Sequence, residues 1–386
     1  MKILFYCQHV WGVGHYFRSM EICRGLHGHE VVMAIGGPPF DAPIPPNVRL
    51  ERLPPIKMRS DYTTLQSDSA GERLNEIKAV RRARLDQLYI QEKPDLLLIE
   101  LYPFGRRKFK FELVPLLRAI RSGDRPAAKV VCSLRDILVA KQDAARYETD
   151  VVEKLNRYFD ALLIHADRRL VALEDTFGRS ADIDIPLVYT GFVAQSPPEG
   201  AAMRIRRQLG LGESERLLVA SAGVGRSGTP LLEAVLAAVQ SNQLLSGAQL
   251  HVFTGPFIES RDYERLAALK RPGVHISKFS DDFLAMLTAA DLSISMGGYN
   301  TSMNILATGV PALVWPYPGD REQGIRARRL AELGALTVLS EADFRPSRMA
   351  AVIANALARS WTTRGSIAMD GARRSARAIE SLVKTP

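Results

Sequence analysis

Short apolar runs alternate with segments of helical periodicity along the whole chain, and this alternation limits the possible folds more than any other feature. In the first half the runs are KILFYC, EVVMAIG, PDLLLIE, AKVVCSL and DALLIHA, and in the second half RLLVASA, QLHVFTG, GVHISKF, DLSISMG, PALVWP and ALTVLS. A β-α-β-α rhythm of this kind is typical of parallel sheets covered by helices on both faces. We therefore predict an α/β protein built from two doubly wound, Rossmann-like domains.

A polar, proline-rich segment, VAQSPPEG at residues 193–200, separates the two sets of runs and has the composition of a linker. The chain has 386 residues, so each half has the size of one ordinary domain. We predict domains at 1–195 and 196–386 that face a cleft. The basic, helix-patterned segment after residue 345 is expected to end in helices that can pack back on the first domain.

Composition narrows the cellular setting. Cys7, Cys23 and Cys132 are scattered without C-x-x-C spacing, which indicates a reducing compartment and argues against a zinc site or disulfides. Gln8 and His9 interrupt the first apolar run, so we interpret that run as a strand and not as a signal peptide. No apolar stretch is long enough to span a bilayer. We expect a soluble, cytoplasmic protein.

The net charge of +9 includes clusters at residues 81–84 and 105–111. These clusters indicate either a solvated basic face or attraction to an anionic membrane or an acidic substrate. The second cluster places four basic residues beside Phe104, Phe109 and Phe111. They are interpreted either as a peripheral membrane contact or as a helix whose phenylalanines pack inward. No nucleic-acid-binding module is recognisable, and no nucleic-acid partner is expected.

The segment SAGVGRSGTP, residues 221–230, places a glycine-rich turn between a strand and a helix, and its spacing spells G-x-G-x-x-G. A dinucleotide site needs an acidic residue at the end of the next strand, but that strand ends in Thr254-Gly255. The free N–H groups of a helix start still favour an anion, so Gly225 and Arg226 are candidate diphosphate ligands. The alternative is a tight structural turn.

A second glycine-rich turn, Gly297-Gly298, follows the strand DLSISMG, and Thr301 stands near the start of the next helix. Because the carboxyl ends of parallel strands meet at one sheet edge, we expect both turns to hold the same diphosphate. The following loop supplies Asp320 and Gln323, whose polar groups suit the hydroxyls of a sugar. A polar helix start is the alternative interpretation of that loop.

These residues carry a family resemblance. The span from KFSDDFLAMLTAADL to SMGGYNTSMNILATGVPALVWPYPGDREQGIRARRLAELGA resembles the C-terminal domain of GT-B-fold glycosyltransferases. It is most similar to the group that includes the bacterial peptidoglycan N-acetylglucosaminyltransferase and its predicted-glycosyltransferase relatives. The segment QHVWGVGHYFRSMEICRGL resembles the G-x-G-H loop of that group, and IELYPFGRRKFKFELVPLLRAI resembles a segment of those relatives. The resemblance covers most of the chain in order.

The resemblance implies a nucleoside-diphosphate sugar as donor and assigns roles to individual residues. His15, at the end of a loop that includes Gly12 and Gly14, would be the general base for the acceptor hydroxyl. The remaining roles are diphosphate binding by Gly225, Gly297, Gly298 and Thr301, contact with the base by Phe279 and Ser280 within residues 278–280, and contact with the donor sugar by Asp320 and Gln323.

Two positions depart from the group. Asn304 stands where a glutamate typically holds the ribose, which leaves the donor nucleotide open and admits a deoxyribose. Met296 replaces an arginine before the glycine turn, so Arg226 or Arg321 would have to meet part of the phosphate charge.

The resemblance implies inversion at the anomeric carbon without a metal ion. The sequence also has no D-x-D pair at the end of a strand, where it could hold a divalent ion. No cofactor is expected. Glu100, at the end of the strand PDLLLIE, is expected to orient His15, to bind the acceptor or only to cap a helix. Three alternatives remain open: a sugar-nucleotide hydrolase, a 2-epimerase and a non-catalytic sugar-nucleotide-binding protein. The sequence does not identify the acceptor, for which a lipid-linked molecule and a small molecule are both open.

Overall fold

A computed structural model describes residues 1–9, 14–37, 43–58, 64–67, 73–138, 141–223, 227–241, 247–361 and 367–384. The chain divides into two compact units. Unit 1 comprises Met1–Val193 and Ala368–Pro386, and unit 2 comprises Ala194–Ile367. The first crossing between the units falls at the start of the proline-rich segment 193–200, and the chain returns to unit 1 for its last helix.

Unit 1 is built on a seven-stranded parallel sheet with a small antiparallel pair beside it. The strands are β1 Lys2–Tyr6, β2 Glu30–Ile35, β3 Val48–Arg52, β4 Ile56–Met58, β5 Leu65–Ser67, β6 Leu96–Glu100, β7 Lys129–Arg135, β8 Ala161–His165 and β9 Leu187–Tyr189. The sheet order is β3-β2-β1-β6-β7-β8-β9, and β4 pairs with β5. Every apolar run of the first half forms a buried strand of this sheet. The sequence patterns missed the edge strands β3 and β9, which are only partly buried.

Helices cover this sheet, and the last one comes from the C-terminal end of the chain. They are α1 Gly14–Gly25, α2 Leu74–Glu92, α3 Lys110–Ser122, α4 Ala144–Tyr158 and α12 Gly371–Lys384. α12 packs on α1 and buries Ala376 and Ile379 in the same apolar cluster as Ile3 and Phe5 of β1. The C-terminal helix is therefore part of the core of unit 1.

Unit 2 has a six-stranded parallel sheet of order β12-β11-β10-β13-β14-β15. The strands are β10 Leu217–Ser221, β11 Gln249–Phe253, β12 Val274–Ser277, β13 Leu292–Met296, β14 Ala312–Trp315 and β15 Thr337–Val338. The helices are α5 Ala201–Gln208, α6 Thr229–Ser241, α7 Ser260–Ala267, α8 Phe283–Ala289, α9 Tyr299–Thr308, α10 Arg321–Glu332 and α11 Pro346–Ala358. Each apolar run of the second half forms one of these strands, and the predicted α/β class with two doubly wound domains is confirmed.

The strand order fixes where each sheet can bind a ligand. In unit 1 the chain winds outward from β1 in one direction and resumes on its other side at β6, and in unit 2 β10 and β13 have the same relation. Such switch points leave a crevice at the carboxyl ends of the two adjacent strands, because the loops there diverge to opposite faces. The predicted catalytic residues and the predicted diphosphate residues follow these two strand pairs.

The first basic cluster of the sequence contains a buried arginine, and the second contains and adjoins buried phenylalanines. Arg81 of α2 is fully buried and its Nη2 donates to Glu112 Oε1 of α3 over 2.6 Å. Phe104 and Phe109 are 2% and 1% exposed, so these two phenylalanines pack inward. Phe104 and Phe109 therefore offer no exposed apolar contact, whereas Phe111 is only partly buried. Among the described residues, no helix combines the length and apolar character needed to cross a membrane.

Candidate functional site

The structure brings His15 and Glu100 together at the switch point of unit 1. Glu100 is the last residue of β6, and His15 is the second residue of α1, whose preceding loop leaves the neighbouring strand β1. His15 Nδ1 lies 2.6 Å from Glu100 Oε1. The Glu100 side chain is fully buried, whereas 22% of the His15 side chain remains exposed. A buried carboxylate therefore contacts Nδ1 of a ring that is itself only partly buried.

Two arginines complete this cluster. Arg18, one turn after His15 on α1, donates from Nη2 to Glu100 Oε1 over 2.6 Å. Arg106 Nε lies 3.4 Å from the other carboxylate oxygen, Oε2. Both side chains are largely buried, with 3% and 11% exposed. The two oxygens of Glu100 are thus divided between His15 with Arg18 on one side and Arg106 on the other.

The charges of this cluster set the protonation states of its members. Burial lowers the pKa of His15 to about 4, and Arg106 and Arg18 act in the same direction against the opposing effect of Glu100. Burial alone would raise the pKa of Glu100, but His15, Arg106 and Arg18 together bring it well below its usual range. At neutral pH the pair is a neutral imidazole beside a carboxylate.

This protonation pattern selects one tautomer of His15. A carboxylate only accepts hydrogen bonds, so the short contact requires a proton on Nδ1. Arg18 Nη2 also lies 3.1 Å from Nδ1, but it is committed to the carboxylate oxygen that the ring contacts. Nε2 consequently carries the lone pair and can take a proton from a hydroxyl group. This is the arrangement that a general base oriented by a carboxylate requires.

In unit 2 the start of α9 lies at the corresponding switch point. Gly297 follows β13, and Gly298 is the N-cap residue of α9 without a side-chain cap in the described contacts. Thr301 lies in the first turn, and a Cβ atom on Gly298 would stand 4.0 Å from its Oγ1. The helix therefore presents backbone N–H groups, and Thr301 a hydroxyl, at the place where an anion is best stabilised.

Gly297 also brings the next loop against this helix start. A Cβ atom at position 297 would stand 3.3 Å from Pro316 Cα and 3.5 Å from Gln323 Cβ. Asp320 caps α10 by accepting from the Gln323 N–H, and the Gln323 amide nitrogen donates to Asp320 Oδ2 over 3.0 Å. The predicted diphosphate and sugar residues Gly297 and Gln323 are thus neighbours. In the structure, Asp320 and Gln323 bond to each other.

The predicted base and ribose residues occupy two further places. Phe279 and Ser280 follow the edge strand β12, and Phe279 is 65% exposed. Asn304 lies one turn after Thr301 and on the same face of α9. The predicted base residues therefore follow β12, and the predicted ribose residue lies on the helix that follows β13.

Part of the glycine-rich turn of SAGVGRSGTP, including Gly225 and Arg226, lies outside the described residues, as does Gly12. Gly14 is the first residue of α1. Gly223 has a φ of 63°, a conformation that favours glycine. A Cβ atom on Gly228 would collide with Ala222 and come 2.9 Å from Met296 Sδ, so Gly228 packs closely against the residues at the ends of β10 and β13.

Sequence patterns missed Arg18 and Arg106 as members of the cluster. Arg18 could have been found, because it is three residues from His15 at the start of a helix and such residues share a face. Arg106 could not, because its position depends on the backbone conformation of residues 101–106. Within the described ranges no group of three His, Cys, Asp or Glu side chains could hold a metal ion.

Comparison with known proteins gives the family context. Residues 223–380 match the glycosyltransferase family 28 C-terminal domain. The chain is 31% identical over 145 residues to the UDP-N-acetylglucosamine--N-acetylmuramyl-(pentapeptide) pyrophosphoryl-undecaprenol N-acetylglucosamine transferase of Clavibacter michiganensis subsp. michiganensis. That alignment covers 36% of each protein, so the chain spans only about a third of the length of this relative.

Solved structures resemble the whole chain. The MurG structure of Acinetobacter baumannii aligns over 99% of this chain and 98% of that chain, with a TM-score of 0.54 and 16% identity. The spinosyn rhamnosyltransferase SpnG complexed with thymidine diphosphate aligns over 100% and 96%, with a TM-score of 0.53 and 18% identity. At this level of identity the likeness is one of fold. The chain thus has the GT-B fold, its residues 223–380 match the glycosyltransferase family 28 C-terminal domain, and it resembles the bacterial peptidoglycan N-acetylglucosaminyltransferases.

Proposed function

We propose that the protein is a glycosyltransferase that moves a sugar from a nucleoside-diphosphate sugar to an acceptor hydroxyl, with inversion at the anomeric carbon and without a metal ion. The observation that carries the proposal is the His15–Glu100 pair at the switch point of one sheet, in a chain whose other sheet bears the family 28 domain. An oriented base and a place for a departing diphosphate are the two requirements of this reaction.

The reaction would start at His15. Nε2 takes the proton of the acceptor hydroxyl, and the oxygen attacks the anomeric carbon of the donor. The bond between that carbon and the diphosphate oxygen breaks, and the diphosphate leaves with the electron pair. As the ring becomes an imidazolium, its Nδ1–H remains bonded to the Glu100 carboxylate, which stabilises the new positive charge.

The departing diphosphate would be held by unit 2. Backbone N–H groups at the start of α9, together with the Thr301 hydroxyl, would meet the negative charge that develops on it. Gly225 and Arg226 remain proposed ligands from the first glycine-rich turn. Asp320 and Gln323 would exchange their mutual hydrogen bond for bonds to the sugar hydroxyls.

We leave two donor nucleotides as candidates. The relative from Clavibacter takes its sugar from a uridine diphosphate, as its name states, and the spinosyn rhamnosyltransferase was crystallised with thymidine diphosphate. Asn304 is proposed to contact the ribose through its amide, and Phe279 and Ser280 to contact the base. Because an amide does not pair with a ribose diol as a carboxylate does, a deoxyribose donor is compatible with this site.

For the acceptor we propose a lipid-linked or a small molecule, used in the cytoplasm. The three described cysteines are buried free thiols, which supports a reducing compartment. A contact with an anionic membrane surface would rest on charge, from the exposed Arg107, Lys108 and Lys110 of unit 1. Phe104 and Phe109 would not contribute to it, because both are buried.

The test is a thermal-shift screen against uridine, adenosine, guanosine and deoxythymidine diphosphates, with NAD(P) for comparison. A ligand that binds only the folded protein raises its melting temperature, so the donor nucleotide should stand out. Release of that diphosphate from its sugar nucleotide is then measured in wild type and in His15→Gln. We expect His15→Gln to retain the thermal shift and to lose about 100-fold or more of the release rate. A shift with NAD(P) alone would contradict the proposal.

A further inference from the structure

We propose that Arg106 is a positioning residue for the His15–Glu100 pair. Its guanidinium holds the Glu100 carboxylate from the Oε2 side and keeps Oε1 directed at His15 Nδ1. The inference builds on the proposed role of His15 as general base, but it concerns the state of the pair in the protein without substrate.

The backbone conformation between β6 and α3 determines the position of the Arg106 side chain. Leu101 and Arg106 have φ values of 65° and 54°, in the left-handed region that residues other than glycine rarely adopt. Gly105 donates its N–H to Leu101 O over 2.7 Å, and a Cβ atom at position 105 would come 2.5 Å from Leu101 Cδ2. The loop therefore closes tightly on itself immediately after Glu100.

The middle of this loop is anchored in the core. Phe104 is buried against Phe177, with ring centroids 5.2 Å apart, and its carbonyl accepts a hydrogen bond from the Tyr147 hydroxyl over 2.8 Å. These contacts fix the loop on α4 and on the segment after β8. Because the loop is held in this way, the backbone of Arg106 has a fixed position from which its side chain reaches Glu100.

The main described interaction of the Arg106 side chain is its ion pair with Glu100, and hydrogen bonds contribute little. Nε lies 3.4 Å from Glu100 Oε2, yet neither Nε, Nη2 nor Oε2 makes a hydrogen bond within the described part of the chain. Two buried guanidinium nitrogens without hydrogen bonds cost free energy, so their position beside Glu100 calls for a compensating interaction. The ion pair with Glu100 supplies that role.

The electrostatic surroundings of His15 support the same conclusion. The groups that act on the pair are Arg18 on α1, Arg106 after β6, the Cys7 thiol after β1 and His165 on β8. Burial raises the pKa of Cys7 to about 12 and lowers that of His165 to about 3, so both are neutral at physiological pH. Arg106 lowers the pKa of both Glu100 and His15, and more strongly than Arg18 does. Of the two arginines, Arg106 thus contributes more to keeping Glu100 ionised and the ring neutral.

The experiment uses the full chain labelled with ¹⁵N-histidine and follows the ring nitrogens by NMR as a function of pH. His15→Asn identifies the His15 signals. In wild type we expect the Nδ1–H tautomer at pH 7. In Arg106→Met we expect the His15 pKa to rise by about one unit, the usual effect of one nearby charge. Arg106→Lys should keep the value close to that of wild type, because the charge remains.

Arg107→Met is the matched control. It removes the same charge one residue further along, where the side chain is exposed and pairs with Asp150. Should Arg106→Met lack a native spectrum, Arg106→Gln puts the same question. A His15 pKa and tautomer that are the same in the Arg106 variants, Arg107→Met and wild type would overturn the inference. Because no substrate is present, this outcome is independent of whether the protein transfers a sugar.

Discussion

At the scale of single residues, the unusual feature of His15 is that it stays neutral beside a carboxylate. An exposed histidine paired with glutamate usually gains a proton, since the carboxylate favours the charged ring. Here burial and two arginines outweigh Glu100 and bring the pKa of His15 to about 4. The ring is therefore able to accept a proton over the whole physiological pH range.

This has a consequence for the pH dependence of the reaction. A base whose pKa is lowered from 6.5 to about 4 remains unprotonated until the pH falls to that value. We expect the release of nucleoside diphosphate from the donor to stay nearly constant between pH 8 and about pH 5 and to fall below that. Initial rates in overlapping buffers measure this, with circular dichroism at each pH to verify that the protein is folded. An acid limb near 6.5 would contradict the assignment of this environment to the base.

The variant Glu100→Gln provides a second test of the His15–Glu100 pair. Because Glu100 raises the pKa of His15, its replacement lowers that pKa further and moves the acid limb to lower pH. The amide no longer stabilises the imidazolium, so we expect the rate at pH 7 to fall by about 100-fold or more. Glu112→Gln, a buried glutamate of the same unit outside the pair, separates this effect from loss of a buried charge in general.

At the scale of helices, strands and loops, sequence patterns predicted the centre of each sheet and left out its margins. Buried strands such as β6 are continuous apolar runs, whereas VRLER of β3 alternates charges and is recognisable only from its pairing with β2. The same limit applies to the site. His15 and Glu100 follow predictable strands and were found, but Arg106 depends on two left-handed residues that no periodicity reveals.

The loop after β13 offers a matched pair of glycines. A methyl group at Gly297 would press on Pro316, Val314 and Gln323 at 3.3–3.5 Å, whereas at Gly298 it would meet only Thr301 Oγ1 at 4.0 Å. We expect Gly297→Ala to shift the loop that carries Gln323 and to weaken the thermal shift produced by the donor nucleotide. Gly298→Ala retains its N–H and should bind almost as wild type does. Equal binding by both variants would argue against a diphosphate at this helix start.

The contact between α2 and α3 rests on a buried ion pair. Arg81 bonds to Glu112 and also donates to Gln8 Oε1 at 2.8 Å and Pro54 O at 2.7 Å, while the Tyr6 hydroxyl bonds to Glu112. A solvated basic face was one of the two interpretations of residues 81–84, and it is wrong for Arg81, which is fully buried. Its partner lies 31 positions away, on the next helix.

Removing one member of this pair should be costly. Arg81→Met leaves Glu112 buried without its counter-ion, and we expect a loss of about 3–5 kcal/mol in the free energy of unfolding of unit 1. Arg81→Met with Glu112→Gln should recover part of the loss, because the uncompensated charge is gone. Arg84→Met, an exposed position on the same helix, should change stability by less than about 0.5 kcal/mol. The free energy of unfolding of the three variants is measured by urea denaturation, with hydrogen exchange in β1 and β6 as the readout for unit 1.

At the scale of the whole molecule, the two units are not two consecutive halves of the chain. The sequence predicted a second domain at 196–386 whose last helices could pack back on the first. The structure places α12 in unit 1 and keeps α11 in unit 2. Composition could not assign these two helices to different units, because both are amphipathic. The assignment depends on which sheet each apolar face packs against in the folded protein.

This division predicts two separable stability responses. Ile379 of α12 and Ile353 of α11 are both essentially buried, and they belong to the cores of different units. Each Ile→Ala change should cost about 2–5 kcal/mol through lost burial and the cavity left behind. We expect Ile379→Ala to speed hydrogen exchange in β1, β2 and α1, with β10 and β13 unchanged, and Ile353→Ala to give the reverse pattern. If Ile379→Ala instead accelerates exchange in β10 and β13 as much as in β1, the C-terminal helix stabilises the chain as one cooperative body, and the assignment of α12 to unit 1 alone fails.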